Sequence, residues 1–169
     1  MLPHLDAAYS LARWLVRDSH HAQDRVQEAY LRAFRYFHRF RGGDARPWLL
    51  QIVRNTCYSW LKANRQLADV LDFRDDEDIR DIVDPIHEFG GNPEFLLLRK
   101  TQREQVLAAV EALPLPFREV IVLREMEEMT YECIADVMDI PLGTVMSRLS
   151  RARALLRKSL SSNRQGFSS

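Results

Sequence analysis

TYECIADVMDIPLGTVMSRLSRARALLRK, residues 130–158, decides the fold of this chain. Thr130 suits the N-cap of a short helix running through Met138, Asp139 and Ile140 form a turn, and Pro141 fits the first turn of a second helix, where its missing N–H is no loss. At about 100° per residue, Val145, Leu149, Ala152 and Leu156 share one face of that second helix, while Thr144, Ser147, Arg148 and Arg151 share another. One face packs inward and the other is free to read. From Pro141 to Ser169 there are six basic residues and no acidic one, a net of +6 suited to phosphate contacts. A solvated basic helix end is the plain alternative. Two helices around a tight turn, with Gly143-Thr144 opening the second, favour a helix-turn-helix that lays its second helix in a major groove.

Working outward, the 169 residues with 46% hydrophobic content suffice for one ordinary domain or two small ones. No stretch approaches the roughly 18 apolar residues of a membrane span, and MLPHLDAAYS lacks the basic-then-apolar order of a secretion signal, so a cytoplasmic location is expected. Cys57 and Cys133 lack the pairing of a zinc or disulfide framework and read as small buried hydrophobes. His20-His21 point in different directions on a helix, with no third ligand nearby, so no metal and no cofactor is expected.

The zero net charge hides a strong asymmetry. Met1–Arg65 holds 11 basic and 5 acidic residues, a net of +6; Gln66–Leu98 holds 2 and 10, a net of −8; Arg99–Ser169 holds 11 and 9, a net of +2. Two basic modules flank an acidic connector. With Asp75-Asp76-Glu77-Asp78, Pro85, Gly90-Gly91 and Pro93, the connector reads as an extendable tether that allows the modules to close on each other. It serves either as a plain spacer or as a charge that tracks a basic channel or repels DNA from wrong sites.

No stretch alternates apolar and polar residues, so the expected class is all-α: two small helical domains, residues 1–66 and 92–169, joined by residues 67–91. Helices are expected from Leu5 to Arg17, Ala22 to Phe40 and Arg46 to Asn64. In the second domain Asn92 caps a helix that begins with Pro93 and runs to Leu113, and another spans Pro116 to Glu128. In the second helix Val26, Ala29, Tyr30, Ala33 and Phe37 face inward, opposite Asp24, Gln27, Glu28, Leu31 and Arg35. Leu31 is thus an apolar residue in a charged stripe, either an accident of the surface or the anchor of a protein contact. The third helix carries Trp48, Tyr58 and Trp60 among Arg46, Arg54, Lys62 and Arg65, an arrangement that can stack unpaired bases and hold their phosphates. Trp48 is expected in the core with Leu49, Ile52 and Val53. Tyr58 and Trp60 cannot both face inward.

HAQDRVQEAYLRAFRYFHRFRGG (residues 21–43), PWLLQIVRN (47–55), LPLPFREVIVLRE (113–125) and IADVMDIPLGTVMSRLSRARALLR (134–157) together resemble the bacterial sigma-70 family, and the short two-module layout resembles its extracytoplasmic-function group. The likeness spans nearly the whole chain apart from the connector and the last ten or so residues. It implies an initiation factor without enzymatic activity, which joins the β and β′ subunits of core RNA polymerase and directs it to promoters in a stress or envelope response. It implies Asp24, Gln27, Glu28, Leu31 and Arg32 as the polymerase-docking set. For the single-stranded minus 10 element it implies Arg41, Gly42, Gly43, Asp44, Arg46 and Asn55, with Lys62 and Arg65 following on the same helix. For the minus 35 duplex it implies Thr144, Met146, Ser147, Arg148 and Arg151. Ser59, Lys62 and Met146 depart from the residues frequent in the family. Further implied are promoter DNA in duplex and single-stranded form, an anti-sigma factor that is often membrane-bound, and a monomer when free of partners. An autonomous helix-turn-helix regulator is the competing reading; it would place two recognition helices through a dimer, and no sustained heptad repeat is present.

Overall fold

The computed structural model describes residues 2–64 and 99–166; every described element is helical, with no strand among the described residues. The acidic connector, Arg65 and the Asn92-Pro93 cap lie outside the described residues. The first three helices are α1 (Leu5–Val16), α2 (Ser19–Arg35) and α3 (Ala45–Ala63). After the undescribed stretch come α4 (Arg99–Glu111), α5 (Leu115–Ile121), α6 (Tyr131–Met138) and α7 (Leu142–Gly166).

Local chemistry sets the boundaries. α1 stops where Arg17 turns left-handed at φ 65°, and the Asp18 carboxylate then accepts the His20 N–H to cap α2. The inner face of α2 is built from Ala22, Val26, Ala29 and Ala33, side chains small enough to seat the helix close against α1 and α3. α2 ends at Arg35 rather than continuing to Phe40; a 3₁₀ turn follows over Phe37–Arg39. That break swings Phe37 off the inner face expected for it, and it is half exposed, edge-on to Trp48 at 6.3 Å. Trp48 is half-buried rather than core, filling the gap between Phe37 and Phe40. Gly42 and Gly43 take φ of 88° and 83°, a conformation that side chains resist, and Asp44 caps α3 through the Arg46 N–H. Cys57 is buried, and burial pushes its thiol up to about 12, which keeps it protonated and unreactive; Cys133 is only partly buried.

In the second half α5 passes into a π turn at Val122–Met126 before α6 begins. The Thr130 hydroxyl accepts the Cys133 N–H, the expected cap of α6, and Asp139 ends that helix in the left-handed region at φ 54°. Pro141 accepts from the N–H groups of Thr144 and Val145, so it starts α7 at the turn. Val145, Leu149, Ala152 and Leu156 are all buried, as their shared face requires. The apolar core is continuous, running from Leu11 and Leu50 to Phe117 and Ile134, because α3 packs on α6 and α1 on α5.

Candidate polymerase and nucleic-acid interface

The outer face of α2 is open. Asp24 and Gln27 are exposed, and Leu31 is 69% exposed among them. Glu28 pairs with Arg32 at 2.9 Å and Arg25 at 3.5 Å, and Arg32 reaches the Thr56 hydroxyl at 3.5 Å. These ties hold two of the five expected docking residues in fixed positions. Phe34, which the sequence reading left out, is 66% exposed one turn beyond Leu31. Its spacing of three from Leu31 was the available signal. Leu31 and Phe34 are thus two exposed apolar side chains three residues apart among charged neighbours on α2.

The loop before α3 divides the minus 10 set. Arg41, Gly42, Gly43 and Asp44 are exposed, as are Asn55 and Lys62 on α3. The loop borders a cleft of about 660 Å³ that also takes in Trp48, Gln51, Asp136 of α6 and Asp139 just past its end. Arg46 is turned away from it and held by Glu127, donating to its carboxylate at 3.0 Å and its carbonyl at 2.6 Å. Of the α3 aromatics, Tyr58 turns to the second half of the chain and gives its hydroxyl hydrogen to Glu119 at 2.5 Å. Trp60 is half-buried under His21, ring centroids 4.5 Å apart, with Arg25 over its face. Neither is a free stacking platform.

Glu119 is the least expected charge in the chain, a carboxylate on α5 with no solvent exposure. Arg54 donates to it at 2.5 Å and lies over the Tyr58 ring at 4.1 Å. Burial works against the charge on Arg54, but Glu119 beside it outweighs that loss and the guanidinium is held above its usual range. Burial, and then Glu119, push the Tyr58 phenol well up, so it remains a donor. Farther along, Arg118 donates to the carbonyls of Glu111 and Leu113 at the end of α4, and Arg17 also donates to Glu111. Burial and the neighbouring Arg17 charge lower Arg118 to about 10.

On α7, Thr144, Ser147 and Arg148 are half-buried and Met146 is 49% exposed. Ser147 returns its hydroxyl hydrogen to the Thr144 carbonyl at 3.1 Å. Arg151 departs from the expected reading face: it is only 8% exposed, with its guanidinium 4.9 Å over the buried Phe117 ring. It fills the seam where α7 crosses α5, turned off the exposed face expected for it. The open surface at the start of α7 is Leu142, Gly143 and Met146. Among the described residues there is no cluster of three or more metal-ligating side chains, and no helix long and apolar enough to cross a membrane.

Residues 2–66 match the family model for sigma-70 region 2, and residues 103–156 that for sigma-70 region 4. The ECF RNA polymerase sigma-E factor of Escherichia coli strain K12 is 39% identical over 137 residues, 77% of this chain and 69% of that protein. The RNA polymerase sigma-H factor of Pseudomonas aeruginosa is 36% identical over 154 residues, 86% of this chain and 76% of that protein. Among solved structures, the sigma factor RpoE in complex with the anti-sigma factor NepR from Bartonella quintana aligns with a TM-score of 0.67 at 26% identity, covering 95% of this chain and 93% of that one. CnrH, solved with the cytosolic domain of CnrY, has the same fold with a TM-score of 0.63 at 22% identity, over 95% of this chain and 84% of that one. A helix-turn-helix module and a three-helix module with an open α2 face, matched in order along one chain, mean that this protein belongs to the extracytoplasmic-function sigma factors, the transcription initiation factors of the sigma-70 family.

Proposed function

We propose that the outer face of α2, with Asp24, Gln27, Glu28, Leu31 and Arg32 and extended by Phe34, docks this factor on the β′ side of core RNA polymerase. The observation that carries this is the 69% exposure of Leu31 inside a charged stripe, an apolar anchor with a polar rim. The Arg41–Asp44 loop with Arg46 and Asn55 then takes a base from the minus 10 strand, with Lys62 and Arg65 on its phosphates. The loop's two left-handed glycines let the backbone approach a nucleotide closely, and base extraction costs a few kcal/mol that these contacts offset. The start of α7, with Thr144, Met146, Ser147 and Arg148, enters the minus 35 major groove. Opening of the strands is driven by binding, with no turnover by this chain, and the work takes place in the cytoplasm. Residues 1–66 and 92–169 act as the two functional domains, and the free factor is a monomer. The likeness to a sigma factor crystallised with an anti-sigma factor supports a similar inhibitor here, with a stress or envelope response as the setting.

The test is transcription by core polymerase with and without this factor on a promoter library, with transcript 5′ ends sequenced. Starts that depend on the factor and share upstream elements are expected. DNA binding that needs no polymerase, without new starts, would instead indicate an autonomous regulator.

A further inference from the structure

The open surface at the start of α7 is apolar, on a segment otherwise rich in positive charge. Leu142 is 39% exposed and Met146 49%, one helical turn apart and therefore on the same face. Gly143 adds no side chain beside them, and a Cβ placed there would meet no atom within 4 Å. Thr144, Ser147 and Arg148 are half-buried by comparison. The most exposed side chain in the first two turns of α7 is thus a thioether, which carries no charge and donates no hydrogen bond. From Pro141 to Ser169 the chain has six basic residues and no acidic one, so a polyanion is the surface this segment is charged to meet.

The major groove of B-form DNA identifies its base pairs by hydrogen-bond donors, acceptors and one apolar group, the 5-methyl of thymine. Met146 has nothing to offer the donors and acceptors. Laid against guanine or cytosine it would strip their polar edges of water and replace none of the lost hydrogen bonds. Four residues of helix advance about 6 Å, against about 3.4 Å per base-pair step, so the pair reaches one or two neighbouring base pairs. We propose, resting on the assignment of α7 to the minus 35 groove, that Leu142 and Met146 select promoters by the 5-methyl groups of thymine at one or two adjacent minus 35 positions. The contact favours A·T pairs there and excludes G·C. Being uncharged, it adds discrimination without steepening the salt dependence that the basic residues confer.

The test uses holoenzyme assembled from core polymerase and the full chain, on promoters taken from mapped start sites, with each minus 35 thymine replaced singly by deoxyuridine. That exchange deletes the methyl and leaves every hydrogen-bonding group of the base pair in place. Uracil at one position, or at two adjacent ones, should weaken wild-type binding about fourfold, the effect of one methyl group taken out of water. Met146→Leu should keep this difference between thymine and uracil. The double variant Leu142→Ala, Met146→Ala should show none at any position, with circular dichroism unchanged because both side chains are exposed. The absence of a uracil penalty in wild type, the same penalty in the double variant, or mapped promoters without thymine in the minus 35 element overturns the proposal. So does a double variant that loses affinity for core enzyme while its DNA binding stays intact, which would make the pair a protein contact. Wild-type holoenzyme that binds a scrambled minus 35 duplex as tightly as the native one would instead overturn the placement of α7 in the groove.

Discussion

Charge on the outer face of α2 meets water, whereas charge on the face of α3 turned towards α5 meets charge from the other half of the chain. Asp24 and Gln27 are exposed around Leu31 and Phe34, while Arg54 and Tyr58 are committed to Glu119. The first surface is open; the second is taken up by contacts between the two halves of the chain. The contrast separates side chains that stay available to a partner from side chains already spent on joining the two halves of the fold.

The sharpest way to break that contrast is Leu31→Asp. The side chain is exposed, so thermal stability should change by under about 0.5 kcal/mol. Polymerase binding should weaken by about 2 kcal/mol or more, the loss typical of an interface anchor, measured by co-elution and titration with core enzyme. Unchanged affinity would mean that the open face of α2 is ordinary surface. Arg148→Ala comes next, with an expected loss of about 1–3 kcal/mol in binding to minus 35 duplex in the holoenzyme and specificity relaxed at one base position. Retained discrimination at every position would remove Arg148 from the reading set.

Arg151→Ala sharpens the distinction between charges that serve partners and charges that serve the fold. It should cost about 1–2 kcal/mol of stability in urea denaturation through loss of the desolvated stack on Phe117, with the base preference at minus 35 unaltered. A changed preference with unchanged stability would return Arg151 to the reading face. Smallest is Thr130→Ala, which removes the cap of the helix that α3 packs against and should cost about 1 kcal/mol by thermal melting.

The helix-turn-helix could be read from sequence because its signals are local: Thr130 before the helix, Asp139 at its end and the Val145-Leu149-Ala152-Leu156 spacing each depend on neighbours within a few turns. The all-α class and the open stripe of α2 were legible for the same reason. Arg151 was misplaced because a helical wheel puts Arg148 and Arg151 together without saying where α5 crosses the helix. Phe37 was misplaced because nothing in RAFRYFHRF marks the end of α2 at Arg35. The Glu119 junction was invisible: Glu119 lies 65 residues from Arg54 and 61 from Tyr58, separations that leave no periodic trace. A buried glutamate reads in sequence like any surface one.

The alanine-lined underside of α2 has a consequence for how such a factor diversifies. Because Ala22, Ala29 and Ala33 hold the helix down through backbone proximity rather than interlocking bulk, substitutions on the opposite side need no rearrangement beneath them. The face proposed for docking can therefore be rewritten letter by letter, while the scaffold carrying it stays unchanged.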